Sequence, residues 1–117
     1  MGLASPIALG DAPVLARTLR EQTGVSTVVL KLGEKGCYWW DGEQAIHSAG
    51  FSVAAKDTTA AGDTFNGALA IALAEGLPVP DSLRFANAAA AIAVTRIGAQ
   101  ASIPPRAEVE SFLRNAG

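Results

Sequence analysis

The chain has one cysteine and one histidine among its 117 residues. Cys37 alone cannot build a disulfide framework or a cysteine-rich metal site, and His47 alone excludes a zinc cluster of the usual histidine-based kind. Charge is sparse as well: nine basic and eleven acidic residues leave a net charge of -2, with no basic stripe. A nucleic-acid partner is therefore not expected, because holding a phosphate backbone needs clustered lysine and arginine. No apolar run approaches the ~20 residues of a membrane-spanning helix, so no membrane partner is expected either. The opening MGLASPIALG lacks the basic start and longer apolar run of a signal peptide. Pro6 stands where a myristoylation motif needs serine or threonine. The expectation is a soluble protein in a reducing, cytoplasmic setting. Two nucleotide-binding signatures are missing too: there is no GxxxxGK[ST], which excludes a P-loop enzyme, and no GxGxxG.

What is present is apolar and small. Half of the residues are hydrophobic, and alanine supplies much of that half, which favours close helix packing. With glycine counted, the apolar share exceeds the ~45–50% of ordinary soluble domains, as if some of the surface were to be covered by more protein. The length suits one domain that buries roughly 65% of its surface, and neither a repeat nor a low-complexity linker divides residues 1–117.

DAPVLARTLREQTG reads as a helix, with Asp11 as its cap, Pro13 in the first turn and Gly24 at its end. VSTVVLKL, Val25 to Leu32, is a β-branched run and reads as a buried strand. GEKG turns the chain. CYWW, QAIHS and FSVAA read as three short strands, with DGE as the hairpin turn between the first two. From Ala61 to Glu75 the period becomes helical, ending at Gly76-Leu77-Pro78. A second helix is expected behind Asp81, running through SLRFANAAAAIAVTR towards Gly98. A short last helix follows Pro104-Pro105, with Val109, Phe112 and Leu113 on one face. This order suits part of a layered α/β domain rather than a bundle or a barrel.

One stretch does not read as core alone. DTTAAGDTFNG sets Asp57 and Asp63 six residues apart and runs directly into an apolar helix. The first-turn N–H groups of a helix have no intrahelical acceptor, and the helix dipole adds about half a positive charge there. Small residues at Ala61 and Gly62 let an anion approach those groups closely. Asp63 cannot itself hold a phosphate, since like charges repel. It suits the base that takes a proton from a hydroxyl while a phosphoryl group is transferred to it. On spacing alone, a plain helix-capping role for Asp63 stands equally open.

Three motifs in order carry a resemblance. DTTAAGDTFNGALAIALAEG resembles the signature of the ribokinase-like (PfkB-type) carbohydrate kinases, KLGEKG resembles their TLGxxG nucleotide motif, and FANAAAAIAVTRIGAQASIP resembles the helix and loop that follow in the ribokinase branch. The likeness runs from about Val25 to the C-terminus. It implies part of a three-layer αβα ribokinase-like fold and ATP-dependent phosphorylation of a sugar hydroxyl, ribose first, then other pentoses, fructose or a nucleoside. Asp63 would be the catalytic base, facing the substrate, and the backbone of Ala60, Ala61 and Gly62 the anion hole. Many relatives carry glycine where Ala60 stands. ATP, with Mg2+, would lie over Lys31, Leu32, Gly33 and Gly36, beside Gly62, with Asn87 at the adenine end; Lys31 replaces the usual threonine. A potassium-type cation would be held by Asp57, Thr59, Ala93, Arg96, Gly98 and Ser102. RIGAQAS also reads as an ordinary loop with Gly98 after the helix C-cap.

The remaining side chains read as packing. Trp39 and Trp40 point to opposite faces of a strand, one to the core and one exposed. Cys37 and His47 read as structural, Phe65 and Asn66 as residues that settle a helix onto the sheet, and Arg84 and Arg106 as surface charges. The family's sugar-gripping glycines, lid strands and magnesium-placing acidic motif do not precede Met1. The resemblance therefore implies a C-terminal portion that needs the N-terminal part of the fold or self-association. The alternative is a catalytically inactive nucleotide-binding remnant or regulatory module.

Overall fold

In the computed structural model, residues 2–4, 11–58, 60–96 and 103–116 are described, with the backbone alone at residues 2–4 and 34. Two compact units divide the chain, residues 1–49 and 50–117.

The first unit is built on β-branched and aromatic residues with a period of two. Strand β1 (Gly2–Ala4) pairs in parallel with β2 (Val28–Lys31), and helix α1 (Ala12–Thr23) connects them. β2 pairs antiparallel with β3 (Cys37–Trp40), which pairs antiparallel with β4 (Ala45–Ser48), giving the order β1-β2-β3-β4. Val28 and Leu30 pack with Ala12 and Ala16 of α1, and Tyr38 and Trp40 lie half-buried against the same cluster. Val29, Cys37 and Trp39, on the opposite face, are buried as well. Burial on both faces is what makes VVL a continuous apolar run rather than an alternating one.

The second unit is helical. Its α2 (Ala61–Ala74) and α3 (Val79–Val94) pack side by side, and α4 (Arg106–Asn115) follows. Alanine is prominent among their buried residues, with Ala68 and Ala72 of α2 and Ala86, Ala89 and Ala93 of α3. Gly76 closes α2 in the left-handed conformation, φ 84°. There its N–H reaches the Leu73 carbonyl at 3.0 Å and the Leu77 N–H reaches Ala72 at 3.1 Å, the paired bonds of a Schellman end. Among the described residues, no helix is long and apolar enough to cross a membrane.

Several sequence expectations need correction. The strand is shorter than Val25 to Leu32, because side chains of the preceding turn hold its first residues: the Thr23 hydroxyl accepts the Val25 N–H at 3.4 Å and Arg20 Nε donates to the Ser26 carbonyl at 3.0 Å. FSVAA forms no strand, having no ladder partner among the described residues; Phe51 instead meets Phe112 edge-on at 5.1 Å. Asp11 occupies the N-cap position in an α-helical conformation and makes no cap bond, since a side-chain cap needs the extended backbone. Helix α3 starts at Val79, not behind Asp81. Pro80 fits that first turn because its missing N–H would have had no acceptor. The helix stops at Val94, well before Gly98, where Thr95 Oγ1 donates to the Ile92 carbonyl at 2.6 Å. Trp40 is half-buried rather than exposed, with the Arg17 guanidinium 5.4 Å from its ring centroid. Strand β1 was not anticipated at all.

The hairpin between β3 and β4 is held by one carboxylate. Asp41 Oδ1 accepts the N–H groups of Glu43 and Gln44 at 2.8 and 2.7 Å, and Oδ2 accepts Trp39 Nε1 at 3.2 Å. The Gln44 and Glu43 amides, with Trp39, hold this carboxyl below its ordinary value of 3.8. The stabilisation is therefore fully present above that value and disappears as pH falls through the lower folded value. Asp41→Asn should flatten this acid response: between about pH 5 and about pH 3, its denaturant midpoint should fall less than that of the unaltered chain. Equal falls would assign the response to other carboxylates.

Candidate active site

Ala60 stands at the N-cap of α2 with φ -95° and ψ 0°, and no side chain caps the helix. The Ala61 N–H donates back to the Thr58 carbonyl at 3.2 Å, and the first helical bond runs from the Thr64 N–H to the Ala60 carbonyl at 2.9 Å. The N–H groups of Gly62 and Asp63 are thus the first-turn donors without an intrahelical acceptor. The residues beside them are alanine and glycine, small enough to let an anion approach the backbone closely. Asp63 is the third helical residue and is exposed; the capping position itself belongs to Ala60. Donors, dipole and a carboxylate at one helix start can hold an anion and take a proton beside it.

A carbonyl at the end of α3 anchors the segment leading into this helix. Val94, the last residue of α3, accepts the N–H of Lys56 at 2.7 Å and that of Asp57 at 3.1 Å. Half-buried Asp57 is thereby brought against the end of α3, where the Ala93 carbonyl accepts the Arg96 N–H at 3.2 Å. The Arg96 guanidinium pairs with Glu108 on α4. Three of the expected cation ligands, Asp57, Ala93 and Arg96, therefore gather at one place. Thr59, Gly98 and Ser102 lie outside the described residues. A carboxylate with backbone carbonyls is an oxygen donor set of the kind that hard cations take, so the described residues fit such an ion. No side chain makes the Val94 contact, which is why no residue pattern pointed to it.

Asn87 is buried within α3 at 7% exposure, between buried Ala86 and Ala88. Next to Asp63 on α2, Phe65 is buried, and Asn66 Oδ1 is buried with no hydrogen-bond donor. Arg84 and Arg106 are exposed as expected, but each guanidinium lies over a ring, Phe51 at 5.1 Å and Phe85 at 5.4 Å. Arg106 also pairs with Glu75.

The glycine loop belongs to the first unit. Lys31 ends β2, Leu32 is buried, and Gly33–Lys35 make one 3-10 turn. Gly33 has φ 61° and Gly36 φ 98°, backbone that favours glycine at both positions. The Leu32 N–H donates to the Gly36 carbonyl at 2.8 Å, closing the loop on itself. His47 was read as structural; its Nε2 meets the Lys35 carbonyl at 2.9 Å. Lys31 to Gly36 thus lie in one unit, while Ala60 to Asp63 and Asn87 lie in the other.

Comparison with known proteins agrees with these motifs. The pattern of the pfkB family carbohydrate kinases matches residues 6–106. The ribokinase of Haemophilus influenzae is 44% identical over 106 residues, covering 91% of this chain and 35% of that protein. The solved ribokinase of Thermotoga maritima is 51% identical with a TM-score of 0.77, over 86% of this chain and 33% of that one. The ribokinase of Arabidopsis thaliana, solved with ribose and ATP, is 32% identical with a TM-score of 0.81, over 97% of this chain and 41% of that one. The chain spans about a third of the length of the relatives it matches. The α/β fold is accordingly part of the ribokinase-like fold expected from the motifs. A family pattern covering most of the chain, and ribokinases this similar over nearly all of it, make this chain a member of the pfkB family of carbohydrate kinases.

Proposed function

We propose that residues 1–117 form the base-bearing, C-terminal portion of an ATP-dependent sugar kinase, with ribose as the first candidate substrate. The observation that carries the reading is the start of α2: amides at Gly62 and Asp63 without an acceptor among the described residues, small neighbours, and the exposed carboxylate of Asp63 itself. Ribose is put first because a relative 32% identical was solved with ribose and ATP.

In this reading the amides at the helix start meet the negative charge that spreads over the transferred phosphoryl oxygens. Asp63 accepts the proton of the attacking sugar hydroxyl, so that an alkoxide need not form free. Magnesium bound with ATP would supply positive charge to the phosphates. Lys31, Leu32, Gly33, Gly36 and Asn87 contact the nucleotide, an assignment that rests on the family resemblance. Asp57, with the carbonyls of Thr59, Ala93, Arg96 and Gly98 and with Ser102, would hold a potassium ion. Asp57 lies in the loop into α2 rather than on the phosphate, so holding the ion would order that loop.

A second reading is a nucleotide-binding module without catalysis. A chimera separates the two. This chain would replace the equivalent C-terminal third of the Thermotoga maritima ribokinase, and ribose-dependent ADP release would be followed. The kinase reading expects turnover in the chimera, and Asp63→Ala should reduce it by about 10²–10⁴-fold while ATP affinity changes little. A variant with near-normal turnover would return Asp63 to a purely structural role.

The cation gives an independent check. Turnover of the same chimera, or ATP binding by the chain itself, should rise more with potassium than with sodium, and Asp57→Ala should erase the difference. Identical titrations in the two salts would remove the proposed site.

A further inference from the structure

We infer that His47 is a positioning residue for the nucleotide, acting through the Lys35 carbonyl to hold the Leu32–Gly36 loop in its binding shape. This inference rests on the reading of that loop as a nucleotide contact.

The loop's carbonyls show why a brace is needed. The Leu32 carbonyl accepts the Lys35 N–H at 3.2 Å, the Gly33 carbonyl accepts the Gly36 N–H at 3.1 Å, and the Gly36 carbonyl accepts the Leu32 N–H at 2.8 Å. Those three bonds lie within the loop. The Lys35 carbonyl is bonded from outside it, by the His47 ring at 2.9 Å, from twelve residues further along the chain. A five-residue segment with two glycines in left-handed conformations has more freedom to lose than any other residue type would give it. One anchor on a rigid strand limits that freedom.

The strand register supplies the anchor. Tyr38 stands opposite both Leu30 on β2 and His47 on β4, so the three share a row across one face of the sheet. Leu30 is fully buried against α1, and Tyr38 packs against the same cluster. His47 sits at the outer end of this fixed row, itself exposed, and carries only a polar ring at the position that reaches the turn.

The contact also fixes the ring's chemistry. A carbonyl only accepts, so Nε2 must carry the proton. The neutral Nε2–H tautomer and the imidazolium both satisfy this, which makes the brace indifferent to protonation of Nδ1. A glutamine places its amide nitrogen about as far from the backbone as Nε2; an asparagine falls short.

The test uses the full chain with MgATP as the probe, reading amide hydrogen exchange at Lys35 and Gly36 together with the dissociation constant. MgATP should slow exchange in the loop of the unaltered chain. His47→Ala should speed exchange at those two amides and weaken MgATP binding, each by about three- to ten-fold, the worth of one ordinary hydrogen bond. Amides of α2 and α3 should not change. His47→Gln should restore both readouts and His47→Asn neither. The inference is overturned if His47→Ala leaves the loop amides or the MgATP affinity as they were, or if asparagine rescues as well as glutamine. If MgATP leaves the loop amides of the unaltered chain unprotected, the nucleotide reading of the loop fails first and the inference falls with it.

Discussion

The candidate site depends on α2 and α3 lying side by side and antiparallel. A short connection of Glu75 to Pro78 returns the chain directly, and such connections make antiparallel neighbours. The helices have 14 and 16 residues, so their lengths differ by only about 3 Å at 1.5 Å per residue. The start of α2 therefore comes level with the end of α3. One end offers unpartnered N–H groups and positive dipole, the other offers carbonyl oxygens and negative dipole. The proposed anion and cation places lie beside each other because of this pairing. Alanine is the residue that permits it, because buried Ala68, Ala72, Ala86, Ala89 and Ala93 let the backbones approach without large side chains to interleave.

The two hydrogen bonds accepted by the Val94 carbonyl turn that adjacency into a fixed geometry. A C-terminal helix carbonyl has no intrahelical donor and must find one elsewhere. Here it takes two from Lys56 and Asp57, the residues that lead into the proposed anion hole. Movement at the end of α3 must then be felt at the entrance to α2. An ion bound to carbonyls at the α3 end would tighten the same link, which is a physical route from cation binding to phosphate binding without direct contact between the two ions.

Sequence made the helices legible because their punctuation is local. Gly24, Gly76 and Pro105 mark ends that the structure keeps, and the Asp41 turn was readable from DGE between two short strands. Strand β1 escaped because three residues, Gly2 to Ala4, show no period, and their partner at Val28–Leu30 lies more than twenty residues away. FSVAA misled for the converse reason: alternation says that a strand could form, but a strand exists only where a ladder partner stands. The start of α3 was displaced because Pro80 looks like a barrier and is in fact harmless in a first turn. At the candidate site, Asp63 and its small neighbours could be singled out from residue types. The role of the Val94 carbonyl and the reach of His47 to Lys35 could not, since both are decided by tertiary register.

The charged side chains around the helices orient more than they stabilise. Arg96–Glu108 and Arg106–Glu75 are each more than a third exposed on both partners, and such pairs contribute about 0.2–1 kcal/mol at most. Their placement is the informative part. One ties α4 to Arg96, two residues past the end of α3, and the other ties the start of α4 to the C-cap of α2. Phe112 on α4 adds an edge-on contact with Phe51, in the segment that leads towards Lys56. Helix α4 thus touches the end of α3, the end of α2 and the approach to the anion site, while burying only Val109 fully. A short helix with so little buried surface holds its place through the elements it joins, and those contacts reach both the α3 terminus and the segment leading towards α2.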